Sequence, residues 1–325
     1  IEVITKKDEA DIAWGVKNRV DYFAISFVQS AKDMRRAREL LGDYKGKLIA
    51  KIEKFDAVSN IDEIIETSDG IMVARGDLGI EVPYYDVPTI QKMLIRKSNA
   101  KGIPVITATQ MLLSMTQNER ATRAEISDVA NAVLDGTDIV MLSEESAIGE
   151  NPTNVVETMH NIIKQTEKIF DHEKRYKFTY LDEFDVIQAT VTKLADDLSA
   201  DGILSLTSSG NSARKMSRYR PITPLYTFAH DKETLTGLTA LWGVQPITTV
   251  KEAQASKMIQ RMLRSLEKRE ILNKKGLYIC TVGYPVGIPG STNTIKILTP
   301  SEIEFYLNFK ENREKIKTEK KVNLA

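Results

Sequence analysis

Residues 47–53 read KLIAKIE, and residues 70–79 read GIMVARGDLG. Each stretch is a short apolar run that ends in charged side chains, which predicts a strand buried on both faces of a parallel sheet. Because side chains alternate along a strand, we expect Lys51 and Glu53 on one face and Ile52 on the other. Burying such a charged pair is expensive, so the pair is either an exposed ion pair at a strand end or part of a functional site.

A strand-then-helix pattern surrounds these stretches and repeats from residue 1 to about residue 170. The predicted strands span residues 21–28, 47–53, 70–75, 104–110 and 138–143, and the predicted helices span 31–41, 56–67, 86–101 and 122–134. Asp86 is the expected N-cap of the third helix and Gly102 its C-cap, and Thr122 with Glu125 has the spacing of a capping box. Repeated units of this kind predict a parallel sheet.

Polar side chains gather where these strands end, at Ser26, Lys51, Glu53, Arg75, Asp77, Thr107, Thr109, Ser143 and Glu145. A (β/α)₈ barrel builds its active site at this edge. An open, doubly wound sheet also binds its ligands there, so the clustering alone leaves both architectures open. No Gly-x-Gly-x-x-Gly motif follows the first strand and no Walker A motif occurs, which weakens the nucleotide-binding alternative.

The carboxylates of Glu53 and Asp77 follow neighbouring predicted strands. Two hard oxygen ligands of this kind suit one Mg²⁺ or Mn²⁺, with water and substrate in the other positions. Lys51 beside them would supply a compact positive charge for a transferring phosphoryl group or an enolate oxygen. Gly76 and Gly79 flank Asp77 in an expected loop, where backbone N–H groups could approach an anion.

Two threonines, Thr107 and Thr109, are expected on one face at the end of the next strand. Their hydroxyl groups could bind substrate or orient a water molecule that carries a proton. Threonine is also a common strand residue, so a purely structural role explains both positions equally well.

The chain changes character at a polar stretch, residues 171–177, which predicts a domain boundary. A second α/β region follows, with predicted strands 202–207, 224–228, 245–249, 276–282 and 294–298 and predicted helices 185–200 and 213–219, and with further helices after Asp231 and Glu252. The predicted domains are therefore residues 1–170, a linker 171–184, a second domain 185–309 and a charged tail 310–325. We assign no function to the tail.

A hydroxyl-rich loop, residues 207–212, leads into a helix of the second region. Hydroxyl groups, backbone donors and the helix dipole favour an anion such as phosphate at this position. Ordinary helix capping would use the same residue types. The glycine-rich residues 283–293 could close over the same ligand or form a plain surface hairpin.

Composition excludes several classes of function. The 45 basic and 45 acidic residues balance, so we expect no nucleic-acid partner. No apolar run approaches the ~20 residues that cross a bilayer, and no secretory signal is evident, so we expect a soluble, cytoplasmic protein without a membrane partner. The single Cys280 lies in an apolar run and is expected in the core. The three histidines lack ligand spacing, so neither zinc nor a hydrolytic triad is indicated.

Seven motifs carry a resemblance to a known family: residues 26–28 (SFV), 49–53 (IAKIE), 72–79 (MVARGDLG), 108–112 (ATQML), 122–125 (TRAE), 128–132 (DVANA) and 141–143 (MLS). The chain resembles the pyruvate kinases over most of residues 1–300. The resemblance implies transfer of a phosphoryl group from phosphoenolpyruvate to ADP, which gives pyruvate and ATP in glycolysis. It also implies Mg²⁺ or Mn²⁺ as cofactor, K⁺ as a further cation, and a homotetramer.

By this resemblance, Lys51 stabilises the transferring phosphoryl group and the enolate, and Glu53 and Asp77 are the metal ligands. The implied substrate-binding residues are Ala74, Arg75, Gly76, Asp77 and Thr109. The implied site for the phosphate of an allosteric metabolite, a sugar phosphate or a nucleotide, consists of Thr207, Ser208, Ser209, Gly210, Asn211 and Ser212.

The resemblance implies an α/β fold in which a partial TIM (β/α)₈ barrel precedes a smaller α/β regulatory domain. The family's first barrel strands and lid domain have no counterpart in these residues, so we expect little or no kinase activity from the 325 residues by themselves. Lys54 and Glu144 stand where the family more often has Asn and Gly.

Two other functions stay open. One is a non-catalytic module that binds a phosphorylated metabolite through the second region. The other is a metal-dependent lyase that releases pyruvate and uses the same carboxylates. Residues 122–125 (TRAE) and 108–111 (ATQM) argue against the lyase.

Overall fold

The computed structural model describes residues 3–172, 177–252, 254–283 and 292–308. Contacts within the chain divide it into two compact units, Ile1–Asp171 and His172–Ala325. The domain bounds that we derived from the sequence stay predictions. The charged tail, 310–325, and most of the glycine-rich loop, 284–291, lie outside the described residues.

The first unit contains one five-stranded sheet. Its strands are β1 (Tyr22–Ile25), β2 (Lys47–Ile52), β3 (Gly70–Ala74), β4 (Val105–Ala108) and β5 (Ile139–Val140). They lie side by side in chain order, and each is parallel to the next. A doubly wound sheet would reverse its strand order at a switch point, so sequential order favours the barrel type of α/β fold.

Helices connect and cover these strands: α1 (Lys6–Lys17), α2 (Ala31–Leu41), α3 (Phe55–Ser59), α4 (Ile61–Thr67), α5 (Arg75–Glu81), α6 (Val87–Lys101), α7 (Arg123–Asp135), α8 (Glu144–Ala147) and α9 (Pro152–Thr166). Short 3₁₀ turns occur at Tyr84–Asp86, Leu113–Thr116 and Glu167–Ile169. The helix expected over 56–67 is two helices that divide at Asn60. The loop expected around Asp77 is the short helix α5, which begins directly after β3.

The three predicted cap positions are all found at helix ends. Thr122 and Glu125 form a capping box at the start of α7, and Gly102 ends α6 in the left-handed conformation with φ of 71°. Asp86 occupies the N-cap position of α6, with Pro88 in the first turn as expected. Its side chain makes no capping hydrogen bond, because Asp86 also ends a 3₁₀ turn with helical backbone angles and a capping side chain needs an extended backbone.

The two faces of the first sheet bury different clusters. Leu48, Ile52 and Val73 pack with residues of α2, α4 and α6 in the larger cluster. Ile49, Met72 and Ala108 form a smaller cluster on the opposite face. Since side chains alternate, Lys51 and Glu53 follow Ile49 on this second face, away from the main helix layer.

The second unit contains a mixed five-stranded sheet in the order β10-β9-β6-β7-β8. Its strands are β6 (Gly202–Thr207), β7 (Leu225–Ala229), β8 (Val244–Thr249), β9 (Tyr278–Gly283) and β10 (Thr292–Leu298). Its helices are α10 (Glu183–Asp197), α11 (Asn211–Ser217), α12 (Lys232–Gly237), α13 (Ala255–Lys268) and α14 (Pro300–Leu307), with a 3₁₀ turn at Leu238–Ala240. β10 is antiparallel to β9, and the other pairs are parallel.

Cys280 lies in the core of the second unit, as predicted. It is fully buried in β9, and burial raises the pKa of its thiol to about 12. Within the ranges that the structure describes, no helix is both long enough and apolar enough to span a bilayer.

Candidate active site at the carboxyl edge of the first sheet

Lys51 and Glu53 form an ion pair where β2 ends. The Lys51 ammonium lies 2.7 Å from Oε1 of Glu53, and the Lys51 side chain is 24% exposed while Glu53 is 1% exposed. The ammonium also donates a hydrogen bond to Oγ of Ser26, 2.9 Å away at the end of β1. The buried carboxylate is therefore paired with a cation that keeps partial access to solvent, which favours the functional interpretation over an exposed surface pair.

The second oxygen of Glu53 supports the turn after β1. Oε2 accepts the backbone N–H of Phe27 at 2.6 Å. Phe27 has φ of 56°, a conformation that residues other than glycine adopt rarely. The ammonium of Lys54, one of the two residues that differ from the resembled family's usual residue, lies 5.8 Å from the centre of the Phe27 ring and 2.8 Å from Oε1 of Glu81. Its extra charge is thus paired with a carboxylate of α5.

Asp77 lies in the first turn of α5, directly after β3. β3 is the parallel neighbour of β2, with Ile52 in register with Val73, so the two carboxylates follow adjacent strand ends. The Asp77 side chain is exposed. Among the described residues, its carboxylate has no hydrogen-bond or ion-pair partner, which leaves both oxygens available to a ligand.

These two carboxylates fit a sparsely ligated divalent cation. Each carboxylate oxygen of Glu53 accepts from one protein donor and therefore keeps a lone pair for a metal ion. The carboxylate of Asp77 is exposed and can also bind an ion. In the ranges described, no group of three or more His, Cys, Asp and Glu side chains could hold a metal ion. An ion here would take two protein oxygens and fill its remaining positions with water and substrate, as Mg²⁺ commonly does.

Thr109 and Gly76 meet across the ends of β4 and β3. Oγ1 of Thr109 accepts the Gly76 N–H at 2.9 Å, so this N–H does not project freely from a loop as we expected. Thr109 has φ of 71°, and the alternation of β4 ends at Ala108. The expected pairing of Thr107 with Thr109 is therefore wrong: Thr107 is fully buried, and its hydroxyl donates to Oγ1 of Thr137 at 2.9 Å.

Arg75 begins α5 and turns its guanidinium toward the end of β4. Nη2 lies 2.6 Å from the carbonyl oxygen of Thr109, and Nε lies 3.2 Å from that of Ala108. Nη1 lies 2.6 Å from Oδ2 of Asp128, on α7. The side chain is only 10% exposed, so its positive charge is directed into the protein.

Glu145, another polar residue at a strand end, has a structural environment. It is buried, and its two oxygens accept the backbone N–H groups of Leu112 at 3.0 Å and Ser143 at 2.8 Å. Both contacts fix the chain on either side of β5. Glu144, its neighbour, is exposed.

The hydroxyl-rich loop of the second unit follows β6. Thr207 is buried, and its hydroxyl accepts the N–H of Gly210 at 3.0 Å, so it closes the loop rather than facing a ligand. Ser209 and Asn211 are exposed, and Ser208 and Ser212 are half-buried. Strand order reverses between β6 and β9, and the carboxyl end of a strand at such a switch point is where α/β sheets bind ligands.

Three residues around the first site were not singled out as site residues from the sequence. Ser26 is one of the polar residues at the strand ends, and the parallel register of β1 and β2 brings it beside Lys51. Phe27 and Asp128 lie in two of the family motifs, but their contacts join segments 26 and 53 positions apart, which local patterns do not predict.

The sequential parallel sheet, the charged groups at its carboxyl edge and the second sheet with a switch point define a barrel-type α/β protein with an added α/β domain. The family model described as "Pyruvate kinase, barrel domain" matches residues 1–156. The one described as "Pyruvate kinase, alpha/beta domain" matches residues 185–298. The chain belongs to the pyruvate kinase family, which confirms the resemblance seen in its motifs.

Curated pyruvate kinases are similar to the chain over most of its length. The protein of Geobacillus stearothermophilus is 42% identical over 307 residues, which are 92% of this chain and 52% of that protein. The protein of Lactobacillus delbrueckii subsp. bulgaricus is 41% identical over 303 residues, 90% of this chain and 51% of that protein. The chain therefore spans about half the length of the curated relatives it matches.

Proposed function

We propose that the protein that contains this chain transfers a phosphoryl group from phosphoenolpyruvate to ADP and releases pyruvate and ATP. One observation carries the proposal: the Lys51 ammonium is 2.7 Å from the buried Glu53 carboxylate, at the strand end next to that of Asp77. A cation beside two carboxylates suits a reaction in which the protein mainly positions anionic groups and balances their charge.

Each charged residue has a distinct role in this proposal. Lys51 stabilises the transferring phosphoryl group and the enolate oxygen that remains, because its ammonium is compact and held in place by Ser26 and Glu53. Glu53 and Asp77 would hold Mg²⁺ or Mn²⁺. The bound ion would neutralise charge on the phosphoryl and carboxylate oxygens of the substrate.

The proposed substrate-binding segment joins the start of α5 to the end of β4. Its members are those derived from the motifs: Ala74, Arg75, Gly76, Asp77 and Thr109. The Gly76 N–H and the Thr109 hydroxyl are already hydrogen-bonded to each other at 2.9 Å. The Thr109 hydroxyl in turn donates to the Ala108 carbonyl oxygen at 2.6 Å. A substrate oxygen would therefore take one of these two donors from its present partner, and both donors are already ordered before it binds, which lowers the cost of ordering them.

For the second unit we propose an allosteric site for a phosphorylated metabolite at residues 207–212. Its position at a switch point supports this role. Ser208, Ser209, Asn211 and Ser212 would contact the phosphate, and Thr207 and Gly210 would shape the loop through their hydrogen bond. Family membership further supports ADP and ATP as partners, K⁺ as a second cation, a homotetramer, and a place in cytoplasmic glycolysis.

A direct assay tests the proposed activity in the complete gene product. With Mg²⁺, phosphoenolpyruvate and ADP, we expect pyruvate and ATP in equal amounts. Pyruvate formed from a hydroxy-keto acid without ATP would instead indicate a lyase. Binding of phosphorylated metabolites without any turnover would indicate a non-catalytic module. Assaying the 325 residues by themselves tests the separate prediction that they have little or no activity.

A further inference from the structure

Two successive residues after β4 have left-handed backbones: φ is 71° at Thr109 and 53° at Gln110. Residues other than glycine hold this conformation only where the surroundings impose it, and such strain concentrates at functional sites. Neither residue is glycine or asparagine, the types that favour it. Some other group must therefore hold the turn.

The guanidinium of Arg75 contacts both peptide groups that flank Thr109. Nε donates to the Ala108 carbonyl at 3.2 Å, and Nη2 donates to the Thr109 carbonyl at 2.6 Å. A planar guanidinium presents its donors in a fixed fork, so these two hydrogen bonds restrict the orientation of the Ala108–Thr109 and Thr109–Gln110 peptides together. Lysine, with a single ammonium, could not reproduce this geometry.

The charge of Arg75 is satisfied within the protein. Nη1 lies 2.6 Å from Oδ2 of Asp128. The same nitrogen lies 3.5 Å from Oε1 of Gln91, a buried residue of α6. With its charge paired and its side chain 10% exposed, Arg75 is poorly placed to meet an anionic substrate directly.

We propose that Arg75, with Asp128 as its counterion, is a positioning residue: it holds the Thr109–Gln110 turn so that the Thr109 hydroxyl stays against the Gly76 N–H. The expected loss of turnover rests on the proposed function. The expected loosening of the Thr109–Gln110 turn rests on the structure alone. Arg75 thus contributes to the proposed substrate-binding segment by orienting Thr109, while its own side chain does not contact the substrate.

Four variants of the complete protein test this role: Arg75→Gln, Arg75→Lys, Asp128→Asn, and Arg75→Gln combined with Gln110→Gly. Gln110 is exposed, and glycine adopts the left-handed conformation without strain, so Gln110→Gly alone is measured as the reference for the double variant. We expect Arg75→Gln and Arg75→Lys each to lower kcat about 10- to 100-fold with little change in KM, as expected when a reacting group is displaced. Arg96→Gln, at an exposed arginine of α6, is the matched control.

The double variant separates the two roles of Arg75. If Arg75 positions the turn, Gln110→Gly relieves part of the strain and restores about tenfold of the lost kcat. If Arg75 binds substrate, Arg75→Lys keeps most of the activity, Arg75→Gln raises KM, and Gln110→Gly restores nothing. That second pattern would overturn the proposal, and so would an Asp128→Asn variant identical to the wild type.

Amide hydrogen exchange of residues 105–117 tests the same inference without any assay of activity. We expect faster exchange in Arg75→Gln and Asp128→Asn than in the wild type, with β8 unchanged as an internal reference. Unchanged exchange in 105–117 would overturn the proposal. If the wild-type protein fails to convert phosphoenolpyruvate, the proposed function fails, while the exchange measurement still decides whether Arg75 holds the turn.

Discussion

The carboxylate of Glu53 is almost completely buried, and its nearest cation is the ammonium of Lys51, 2.7 Å away. Removing one member of a buried ion pair leaves the charge of the other member unpaired, which lowers the free energy of unfolding. A divalent cation between Glu53 and Asp77 would supply a second source of positive charge. The two residues of the pair should therefore respond differently to substitution.

Lys51→Met should abolish phosphoryl transfer while metal binding persists. The Glu53 carboxylate keeps its oxygens for the cation, but no compact charge faces the transferring group, so we expect kcat to fall by about 10³-fold. Turnover is measured by ATP formation and metal binding by Mn²⁺ titration. Lys45→Met, at an exposed lysine before β2, serves as control. Unchanged turnover in Lys51→Met would remove Lys51 from the mechanism.

Glu53→Gln should sharply raise the Mg²⁺ concentration needed for half-maximal activity. The amide keeps the size of the side chain but removes one of two anionic ligands, and we expect an increase of at least about tenfold. Glu81→Gln, at an exposed carboxylate that pairs with Lys54 at the end of α5, should leave the Mg²⁺ requirement unchanged. An unaltered titration for Glu53→Gln would show that another group holds the ion.

Asp69 makes the stability of the first unit depend on pH. Burial alone would raise the pKa of this carboxyl, but the hydrogen bonds from Arg38 and from the Leu48 backbone and the charge of Lys47 hold the pKa below 3.8. A lowered pKa stabilises the folded protein fully above the ordinary value, and this stabilisation is lost as pH falls through the folded-state pKa.

Asp69→Asn should consequently reduce the free energy of unfolding by about 2 kcal/mol at pH 7. The difference in the free energy of unfolding between Asp69→Asn and the wild type should shrink as the pH falls below 3.8. Urea unfolding across this range measures it. Asp62→Asn is the control, because Asp62 is 74% exposed in its ion pair with Lys97 and exposed pairs contribute little. A difference in the free energy of unfolding that does not change with pH would contradict the stabilising role of the Asp69 carboxylate.

Thr281→Val should stabilise the second unit. Thr281 is fully buried in β9, and within the described ranges its hydroxyl has no hydrogen-bond partner. Replacing an unsatisfied hydroxyl by a methyl group of similar shape should add about 1 kcal/mol to the free energy of unfolding. Hydrogen exchange of β9 in urea reports this locally.

Thr107→Val is the matched control for Thr281→Val. Thr107 is equally buried, but its hydroxyl donates to Thr137 at 2.9 Å. The same substitution there should destabilise β4 by about 1 kcal/mol, because it breaks a buried hydrogen bond. Similar changes at both positions would show that hydrogen bonding of the hydroxyl does not decide the effect.

The elements that carry local signals were predictable from the sequence. Helix α2 begins and ends at the residues we expected, Ala31 and Leu41, because a serine cap precedes it and a glycine follows it. Strands β2 and β3 were found to within one residue from their apolar runs. The alternation of β2 also placed Lys51 and Glu53 on one face, where they form their ion pair.

What the sequence did not predict depends on tertiary contacts. The sequence of helix α5 contains two glycines and predicts a loop, because glycine disfavours helices. The turn at Thr109 has no glycine, and Arg75, which contacts it, lies 34 positions away. The antiparallel direction of β10 depends on its pairing with β9. Such features are determined by packing between distant segments, and local propensity contains no information about that packing.

An anomalous diffraction map of the complete protein with Mn²⁺ tests the central claim most directly. The account predicts a single Mn²⁺ peak coordinated by one carboxylate oxygen of Glu53 and one of Asp77, with the Lys51 ammonium facing the same space. Carboxylates of Glu53 and Asp77 that point apart, with no ion between them, would contradict it.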